Sequence, residues 1–180
     1  MTATRMTPLL ERNRQFAQDH TPVPLAAPTA GLVVVSCLDH RINPSITLGL
    51  RLGEAVVIRN AGGRVTPSVV EDIAYLAFLA RKVFGMTDRL FEVAVVHHPQ
   101  CGTGFLADPE FRREAAEATG VSEAHLEAVQ VADPYSTVKI DVGRLLESPR
   151  ISPGITVSGH VYDVETGLVT TIVEAREAHV

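Results

Sequence analysis

The sequence predicts an α/β fold in which a mainly parallel β-sheet is flanked by helices and carries an antiparallel edge strand. Short runs of β-branched residues, at positions 32–35 and 93–96, are typical of buried strands. Segments with apolar residues at helical spacing alternate with such runs, which favours parallel strands joined by helices. The last two predicted strands are separated only by a short turn at residues 163–167, which favours an antiparallel hairpin.

The first predicted element is a weakly amphipathic helix over residues 7–18. Its apolar positions, Leu9, Leu10 and Phe16, are sparse among charged residues, which is typical of a helix at the surface. An extended connection follows over residues 21–29, where three prolines disfavour regular structure.

Two strands and a short helix are predicted next. The strands cover residues 31–36 and 55–58, and a short helix over residues 46–52 lies between them and ends at Gly53. The Asn-Ala-Gly-Gly segment at residues 60–63 is interpreted as a tight strand-to-helix turn, because glycine readily adopts the left-handed conformations that such turns use. Its amides could also approach a small anion, although a Gly-Gly pair is a weak indication of that role.

The longest helix is predicted to have Pro67 near its first position and to end at Gly85. Thr66 or Ser68 is expected to cap it, and Ser68 and Glu71 have the spacing of a capping box. Its apolar residues recur at helical spacing and form one core-facing stripe. They are Val69, Ile73, Leu76, Ala77, Ala80, Val83 and Phe84.

The second half of the chain predicts one more buried strand, three helices and a terminal hairpin. The strand covers residues 91–96, the helices cover 109–118, 122–129 and 134–146, and the hairpin strands cover 155–162 and 168–173. Pro109 and Pro134 each follow an aspartate, which is typical of a helix N-terminus.

Length and composition restrict the class of protein. The 180 residues predict one domain, residues 1–180, with ordinary hydrophobic (46%) and charged (21%) content. A net charge of −5 argues against a general nucleic-acid binder, which normally has a basic face. No apolar stretch reaches the length of a membrane span, and the first 19 residues lack a signal-peptide core, so we expect a cytoplasmic protein. In that compartment two cysteines are more often free thiols or metal ligands than a disulfide.

The two cysteines, Cys37 and Cys101, lie at the carboxyl ends of two predicted strands, Cys37 directly after the first and Cys101 in the loop after the second, where ligand sites of open parallel sheets lie. With His98 they form a three-residue nitrogen and sulfur set that suits zinc, and three protein ligands with an open fourth position are typical of catalytic zinc. The alternative is two buried structural thiols, since cysteine is among the most buried residue types. His97 competes with His98 for the metal, but alternation along the strand turns it to the other side.

These residues resemble a known family. Cys-x-Asp-x-Arg at residues 37–41, followed by His-x-x-Cys-Gly at residues 98–102, resembles the β-class carbonic anhydrases. The segment at residues 57–63, Val-Ile-Arg-Asn-Ala-Gly-Gly, looks like that family's connecting strand and glycine turn. Residues 159–167 resemble its terminal hairpin. The resemblance covers residues 32–172.

The resemblance implies one zinc ion per chain, bound by Cys37, His98 and Cys101, and reversible hydration of carbon dioxide by a zinc-bound hydroxide. Asp39 and Arg41 are then the catalytic pair: Arg41 holds the Asp39 carboxylate, and ionised Asp39 accepts a hydrogen bond from the hydroxide. Some members close the site by moving Asp39 onto the metal, and the sequence leaves this open. Two thiolates should make the bound water less acidic than three imidazoles would, so activity should rise toward alkaline pH.

Several alternative interpretations of single residues and of the function stay open. His40 is a possible proton shuttle or simply an exposed loop histidine, and the latter is favoured. Gln100 stands where related sequences often have an acidic residue, and Leu38 stands where methionine is common. Carbonyl sulfide or carbon disulfide hydrolysis on the same scaffold, or an inactive zinc-binding homologue, are alternative functions. A cysteine phosphatase is disfavoured, because only three residues separate Cys37 from Arg41.

The resemblance also implies assembly. Members of the family form homodimers, with zinc sites near the interface, and their N-terminal helices often pack on the partner subunit. Residues 1–30, an N-terminal helix and an extended arm, are therefore expected to lie on a second copy. Phe84 and Phe105 are further candidates for the interface.

Overall fold

The computed structural model describes residues 4–179 and shows a five-stranded sheet with helices packed against it. Across these residues the chain forms six α-helices and five strands. In chain order they are α1 (Thr7–Gln18), β1 (Leu32–Cys37), α2 (Pro44–Thr47), β2 (Ala55–Asn60), α3 (Pro67–Lys82), β3 (Phe91–His97), α4 (Pro109–Thr119), α5 (Glu123–Val129), α6 (Pro134–Glu147), β4 (Ile155–Tyr162) and β5 (Val169–Glu177). Short 3₁₀ helices cover Ala61–Gly63 and Gly102–Ala107.

The strand order is β2-β1-β3-β4-β5, and only the β4–β5 pair is antiparallel. This confirms the predicted parallel sheet with an antiparallel edge. In the register of β1 and β3, Val35 lies beside Val95 and Ser36 beside Val96. The carboxyl ends of these two central strands therefore meet at one edge of the sheet, where Cys37 and His98 come together.

The main hydrophobic core lies between one face of the sheet and helices α3 and α6. Alternate residues of the strands, such as Val33, Val93 and Val157, pack in one buried cluster with Ile73 of α3 and Val142 of α6. Gly159 of β4 lets α6 lie close to the sheet, because a Cβ there would be 2.9 Å from a methyl group of Val142. The core fixes the strands, and the strand ends fix the residues of the site.

Three local predictions were wrong, one of them being Val83, which follows the end of α3 and is 58% exposed instead of facing the core. The short helix was expected over residues 46–52, but α2 covers Pro44–Thr47, because the Asn43 side chain caps its start and Pro44 occupies the first turn. The capping box of α3 does not form: Thr66 is the N-cap without a side-chain hydrogen bond to the helix, and the Glu71 carboxylate binds Arg150 at 2.8 Å. The ion pair with a distant residue replaces the local bond.

Helix α1 makes little contact with the rest of the described chain. All twelve of its residues are exposed, including Leu9, Leu10 and Phe16. The helix therefore agrees with its predicted bounds, while its packing partner is not found within the described chain. Among residues 4–179, no helix combines the length and the apolar character that crossing a membrane requires.

Candidate metal centre

Three side chains converge at the carboxyl edge of the sheet. Cys37 is the last residue of β1, His98 follows the last residue of β3, and Cys101 precedes the 3₁₀ helix Gly102–Ala107. Their ligand atoms all lie within 4.8 Å of one another, and all three residues are buried. Within residues 4–179 no other group of histidine, cysteine or acidic side chains comes together in this way. The structure thus assembles the three predicted ligand residues.

The imidazole of His98 is oriented for a metal. Its Nδ1 lies 2.9 Å from the carbonyl oxygen of Pro99, so this nitrogen is assigned the proton and donates it. Its Nε2 then carries a lone pair, is fully buried, and has no hydrogen-bond partner within residues 4–179. Buried polar atoms are rarely left without partners, whereas a metal-ligating histidine donates its other nitrogen to an oxygen in this way. The free Nε2 beside two sulfur atoms therefore fits a metal ion.

The two thiols lie in contact and share hydrogen bonds. The sulfur atoms of Cys37 and Cys101 are 3.7 Å apart, and the Sγ of Cys101 is 3.1 Å from the hydroxyl of Thr103. The hydrogen bond with Cys37 lowers the pKa of the Cys101 thiol, and the hydrogen bond with the Thr103 hydroxyl adds to this, although burial opposes it. The same hydrogen bond and burial raise the pKa of Cys37. The shared hydrogen bond thus favours the thiolate at Cys101, and the thiolate is the form of cysteine that binds metals.

Asp39 and Arg41 form a bidentate ion pair beside this cluster. Arg41 donates from Nη2 to Oδ2 of Asp39 at 2.7 Å and from Nε to Oδ1 at 3.0 Å, and its backbone amide donates to Oδ1 at 2.9 Å. These bonds from Arg41 hold the pKa of Asp39 well below its usual range, so the carboxylate is ionised. The Asp39 side chain is only 12% exposed, whereas that of Arg41 is 38% exposed. The pair therefore presents its negative end inward.

Arg41 also connects the loop that follows β1 with the loop that follows β3, a contact that the sequence analysis missed. Its Nη2 donates to the backbone carbonyl of Gln100 at 2.8 Å, and its Nη1 lies 3.4 Å from the Gln100 side-chain oxygen. The Gln100 amide in turn donates to Glu165 in the β4–β5 turn at 2.9 Å. A neutral residue at position 100 accepts from Arg41 without competing for its charge, so Asp39 remains the carboxylate that binds the guanidinium.

A pocket of about 330 Å³ leads to the sulfur atoms. Its wall includes Cys37, Asp39, Gly62, Cys101 and Thr103. Two further side chains of its lining, Leu38 and His40, are exposed, with His40 94% exposed. The pocket suits a small molecule that reaches the cluster past an apolar rim and the ionised Asp39.

Arg59 supports the site and was not singled out in the sequence analysis. From β2 it donates to the backbone carbonyl of Cys37, the last residue of β1, at 2.9 Å, and to those of Asp39 at 2.7 Å and Ile42 at 2.8 Å in the loop that follows. These bonds hold the loop that carries Asp39 and Arg41. Nothing in the sequence pattern signals them, because they depend on the pairing of β1 with β2.

His97 is not part of the cluster, as predicted from strand alternation. It is fully buried, and its Nδ1 lies 2.9 Å from the Thr137 hydroxyl of α6. Its Nε2 lies 3.2 Å both from the Gly63 carbonyl and from an Asp141 carboxylate oxygen. His97 is therefore a hydrogen-bonded histidine of the core. The partner Asp141 was missed, although an aspartate beside Val138, Val142 and Leu145 on one helix face indicates a buried charge.

A family model described as carbonic anhydrase matches residues 32–134, more than half of the chain. Beta-carbonic anhydrase 1 of Mycobacterium bovis is 29% identical over 151 residues, which cover 84% of this chain and 86% of that protein. A carbon disulfide hydrolase of an Acidianus species is 28% identical over 158 residues, covering 75% of this chain and 74% of that protein.

The fold also matches solved structures. The crystal structure of carbonic anhydrase from Streptococcus mutans is similar with a TM-score of 0.78 and 29% sequence identity, over 96% of this chain and 99% of that one. The match extends over nearly the whole of both chains, so it includes the sheet edge at which Cys37, His98 and Cys101 meet.

Proposed function

The chain belongs to the β-carbonic anhydrase family, and from this premise we propose that it catalyses the reversible hydration of carbon dioxide to bicarbonate and a proton, with zinc as its cofactor. The observation that carries the proposal is the unpartnered, buried Nε2 of His98 beside the sulfurs of Cys37 and Cys101. The ionised Asp39 next to this set supplies the acceptor that the reaction needs.

Cys37, His98 and Cys101 would hold the metal. Two thiolates and one imidazole are ligands that zinc prefers, and a set of three protein ligands is typical of catalytic sites. Zinc bound there would act as a Lewis acid and lower the pKa of water toward neutrality. The thiolate of Cys101 is kept in place by the Thr103 hydroxyl and that of Cys37 by the Asp39 amide, 3.4 Å away.

Asp39 orients the attacking oxygen. Since both of its oxygens accept from Arg41, the carboxylate stays ionised and can only accept further hydrogen bonds. It therefore selects a group with a proton to donate, such as water or hydroxide, and turns the oxygen lone pair toward carbon dioxide in the pocket. Arg41 binds the Asp39 carboxylate outside the Cys37–His98–Cys101 cluster, which supports a metal site with an open fourth position.

Carbon disulfide or carbonyl sulfide hydrolysis is the second candidate function. It is supported by the similarity to the carbon disulfide hydrolases of Acidithiobacillus thiooxidans and Acidianus, at 26% and 28% identity. The same acceptor and the same ligand residues serve that chemistry, because each substrate is a linear molecule with an electrophilic carbon. The pocket lining and its rim decide between the substrates.

The test combines metal analysis with kinetics on one purified sample. We expect one zinc per chain. We also expect a rate of carbon dioxide hydration, measured by stopped flow, that rises as the pH is raised. Zinc without hydration, together with turnover of carbon disulfide, would favour the second function. Zinc without turnover of any of the three substrates would leave a binding protein, and absence of zinc would contradict the metal site itself.

For assembly, we propose a homodimer in which the N-terminal arm, residues 1–30, lies on the partner subunit. Support comes from α1, whose apolar Leu9, Leu10 and Phe16 are 45–54% exposed. Such a stripe is rarely left in water when a partner can cover it. Light scattering should give twice the chain mass, and deletion of residues 1–20 should weaken the dimer. A monomer at all concentrations would contradict the proposal.

A further inference from the structure

A buried cluster of charged residues lies behind the proposed metal site and takes no part in the chemistry described above. Arg64 follows the glycine turn, Asp141 lies on α6, and His97 ends β3. Arg64 and Asp141 side chains are 4% and 0% exposed, and His97 is fully buried. Burying charges is costly unless they are paired, so three such residues in one place require an explanation.

Asp141 accepts hydrogen bonds from the two residues that follow the glycine turn, Arg64 and Val65. Arg64 donates to it from Nε at 2.7 Å and from Nη2 at 3.2 Å, and the backbone amide of Val65 donates at 3.1 Å. Arg144, one turn along α6, adds a bond of 2.7 Å. His97 Nε2 lies 3.2 Å from the same carboxylate. One carboxylate therefore connects α6, the end of β3 and the residues after the turn.

The turn itself is fastened at several points. The side chain of Asn60 accepts from the Arg64 amide at 2.9 Å and donates to the Arg64 carbonyl at 2.8 Å, closing the turn on itself. Arg64 Nη1 donates to the Gln130 carbonyl at 2.6 Å, and His97 lies 3.2 Å from the Gly63 carbonyl. These contacts hold the turn in place from both of its ends and from Gln130 and His97.

The fastened turn lies directly against the metal-site residues. A Cβ on Gly63 would be 2.7 Å from the Cys37 nitrogen, and a Cβ on Gly62 would be 3.0 Å from the Thr103 hydroxyl oxygen. The φ angles of Gly62 and Gly63 are positive, 79° and 66°, a conformation that other residues rarely adopt. A small movement of the turn would therefore displace Cys37 and the hydroxyl that binds the Cys101 sulfur.

We propose that Asp141 is a positioning residue for the metal site: by holding Arg64, His97 and the Val65 amide, it presses the Asn60–Gly63 turn against Cys37 and fixes the strand end that presents His98. The inference rests on the proposed zinc site. Residues that orient metal ligands affect metal affinity or activity by roughly tenfold to a hundredfold, and we expect a loss of affinity in this range.

The test compares Asp141→Asn with Val142→Ala, a neighbour on α6 that is equally buried and packs against Gly159 rather than the turn. Both substitutions should lower the melting temperature. Only Asp141→Asn should weaken zinc binding by the apoprotein, measured by competition with a chromophoric chelator, and speed hydrogen exchange at the amides of Gly62, Gly63 and Val65. Equal zinc affinity in the two variants would overturn the proposal and make Asp141 a structural residue.

If Asp141→Asn does not fold, Arg64→Lys decides. It keeps the positive charge facing Asp141 but cannot bind both carboxylate oxygens and the Gln130 carbonyl together. A loss of zinc affinity beyond that of Val142→Ala supports the positioning role, and parity with Val142→Ala overturns it. The unchanged chain separates this result from the proposed function: if it binds no zinc, the metal site is wrong, and if it binds zinc as tightly as the variants do, only the role of Asp141 is wrong.

Discussion

Two aspartate–arginine pairs border the same site and differ in burial. The Asp39–Arg41 pair faces the pocket with 12% and 38% of its side chains exposed, whereas the Asp141–Arg64 pair behind the glycine turn has 0% and 4% exposed. Each has a short contact of 2.7 Å. The comparison shows that the same chemical pair can serve two purposes, and that solvent access decides which.

The difference follows from electrostatics. At the pocket, Asp39 accepts hydrogen bonds from only one residue of the described chain, Arg41, so its carboxylate keeps free acceptor capacity for a reacting molecule. In the interior, the Asp141 carboxylate has its acceptor capacity filled by donors from Arg64, Arg144, Val65 and His97. Removing one partner of such a buried pair costs ~3–5 kcal/mol because the other charge is left without compensation.

The largest expected effect on zinc binding and activity comes from replacing a metal-ligand residue, which lies between the two pairs. Cys101→Ser replaces a thiolate that already has a lowered pKa with a hydroxyl, which is a poor zinc ligand near neutral pH. We expect zinc content near zero and hydration at background level, measured by metal analysis and stopped flow. Val131→Ala, in the same small buried cluster as both cysteines, is the control and should keep its zinc. Full activity in Cys101→Ser would remove this cysteine from the ligand set.

The next effect tests the exposed pair. Asp39→Asn keeps the shape of the side chain but places a donor where an acceptor is needed, and we expect the hydration rate to fall by roughly a hundredfold or more. Zinc content should stay close to that of the unchanged chain, because Asp39 is not one of the three proposed ligand residues. Asp72→Asn, an exposed aspartate of α3, is the matched control. Loss of zinc in Asp39→Asn would assign the pair to structure instead.

The third effect tests the buried pair through pH. Burial alone would raise the pKa of Asp141, but hydrogen bonds from His97 and Arg64 outweigh it and lower the pKa to about 2 from an ordinary 3.8. A lowered carboxylate pKa stabilises the folded state above pH ~4, and this contribution is lost as the pH falls toward ~2. The difference corresponds to about 2 kcal/mol of unfolding free energy.

The measurement is urea unfolding between pH ~5 and ~2, where this carboxylate changes its protonation. Asp141→Asn should start from a lower stability and lose less of it over the interval. If Asp141→Asn and the unchanged chain lose stability in parallel, the buried carboxylate is not the source of the acid sensitivity.

The smallest expected effect concerns His40, which lies beside the exposed pair. Its Nδ1 is 3.7 Å from an Asp39 oxygen, and its side chain is 94% exposed. An exposed loop histidine contributes little, so His40→Ala should change hydration less than about twofold. A fall in kcat with unchanged KM, restored by added imidazole buffer, would instead identify His40 as the proton shuttle.

Much of the fold could be predicted from the sequence, because its signals are local. The β-branched runs gave β1, β3 and β4 within a residue of their observed bounds, and Pro109 and Pro134 marked helix starts that the structure shows. The start of helix α2 was misplaced because Asn43 caps it earlier, and the Ser68–Glu71 capping box of α3 does not form because Glu71 binds Arg150.

The sequence by itself determined which residues could form the metal site, because Cys37, His98 and Cys101 lie at or shortly after the ends of two strands, where ligand sites of open parallel sheets are found. Only the tertiary structure decided how that site is held. Arg64 and Asp141 are 77 positions apart, and Arg41 and Gln100 are 59 apart, so neither pairing has a local pattern. Desolvation is a property of the packed chain, and it alone separates the aspartate that faces the pocket from the aspartate that holds the turn.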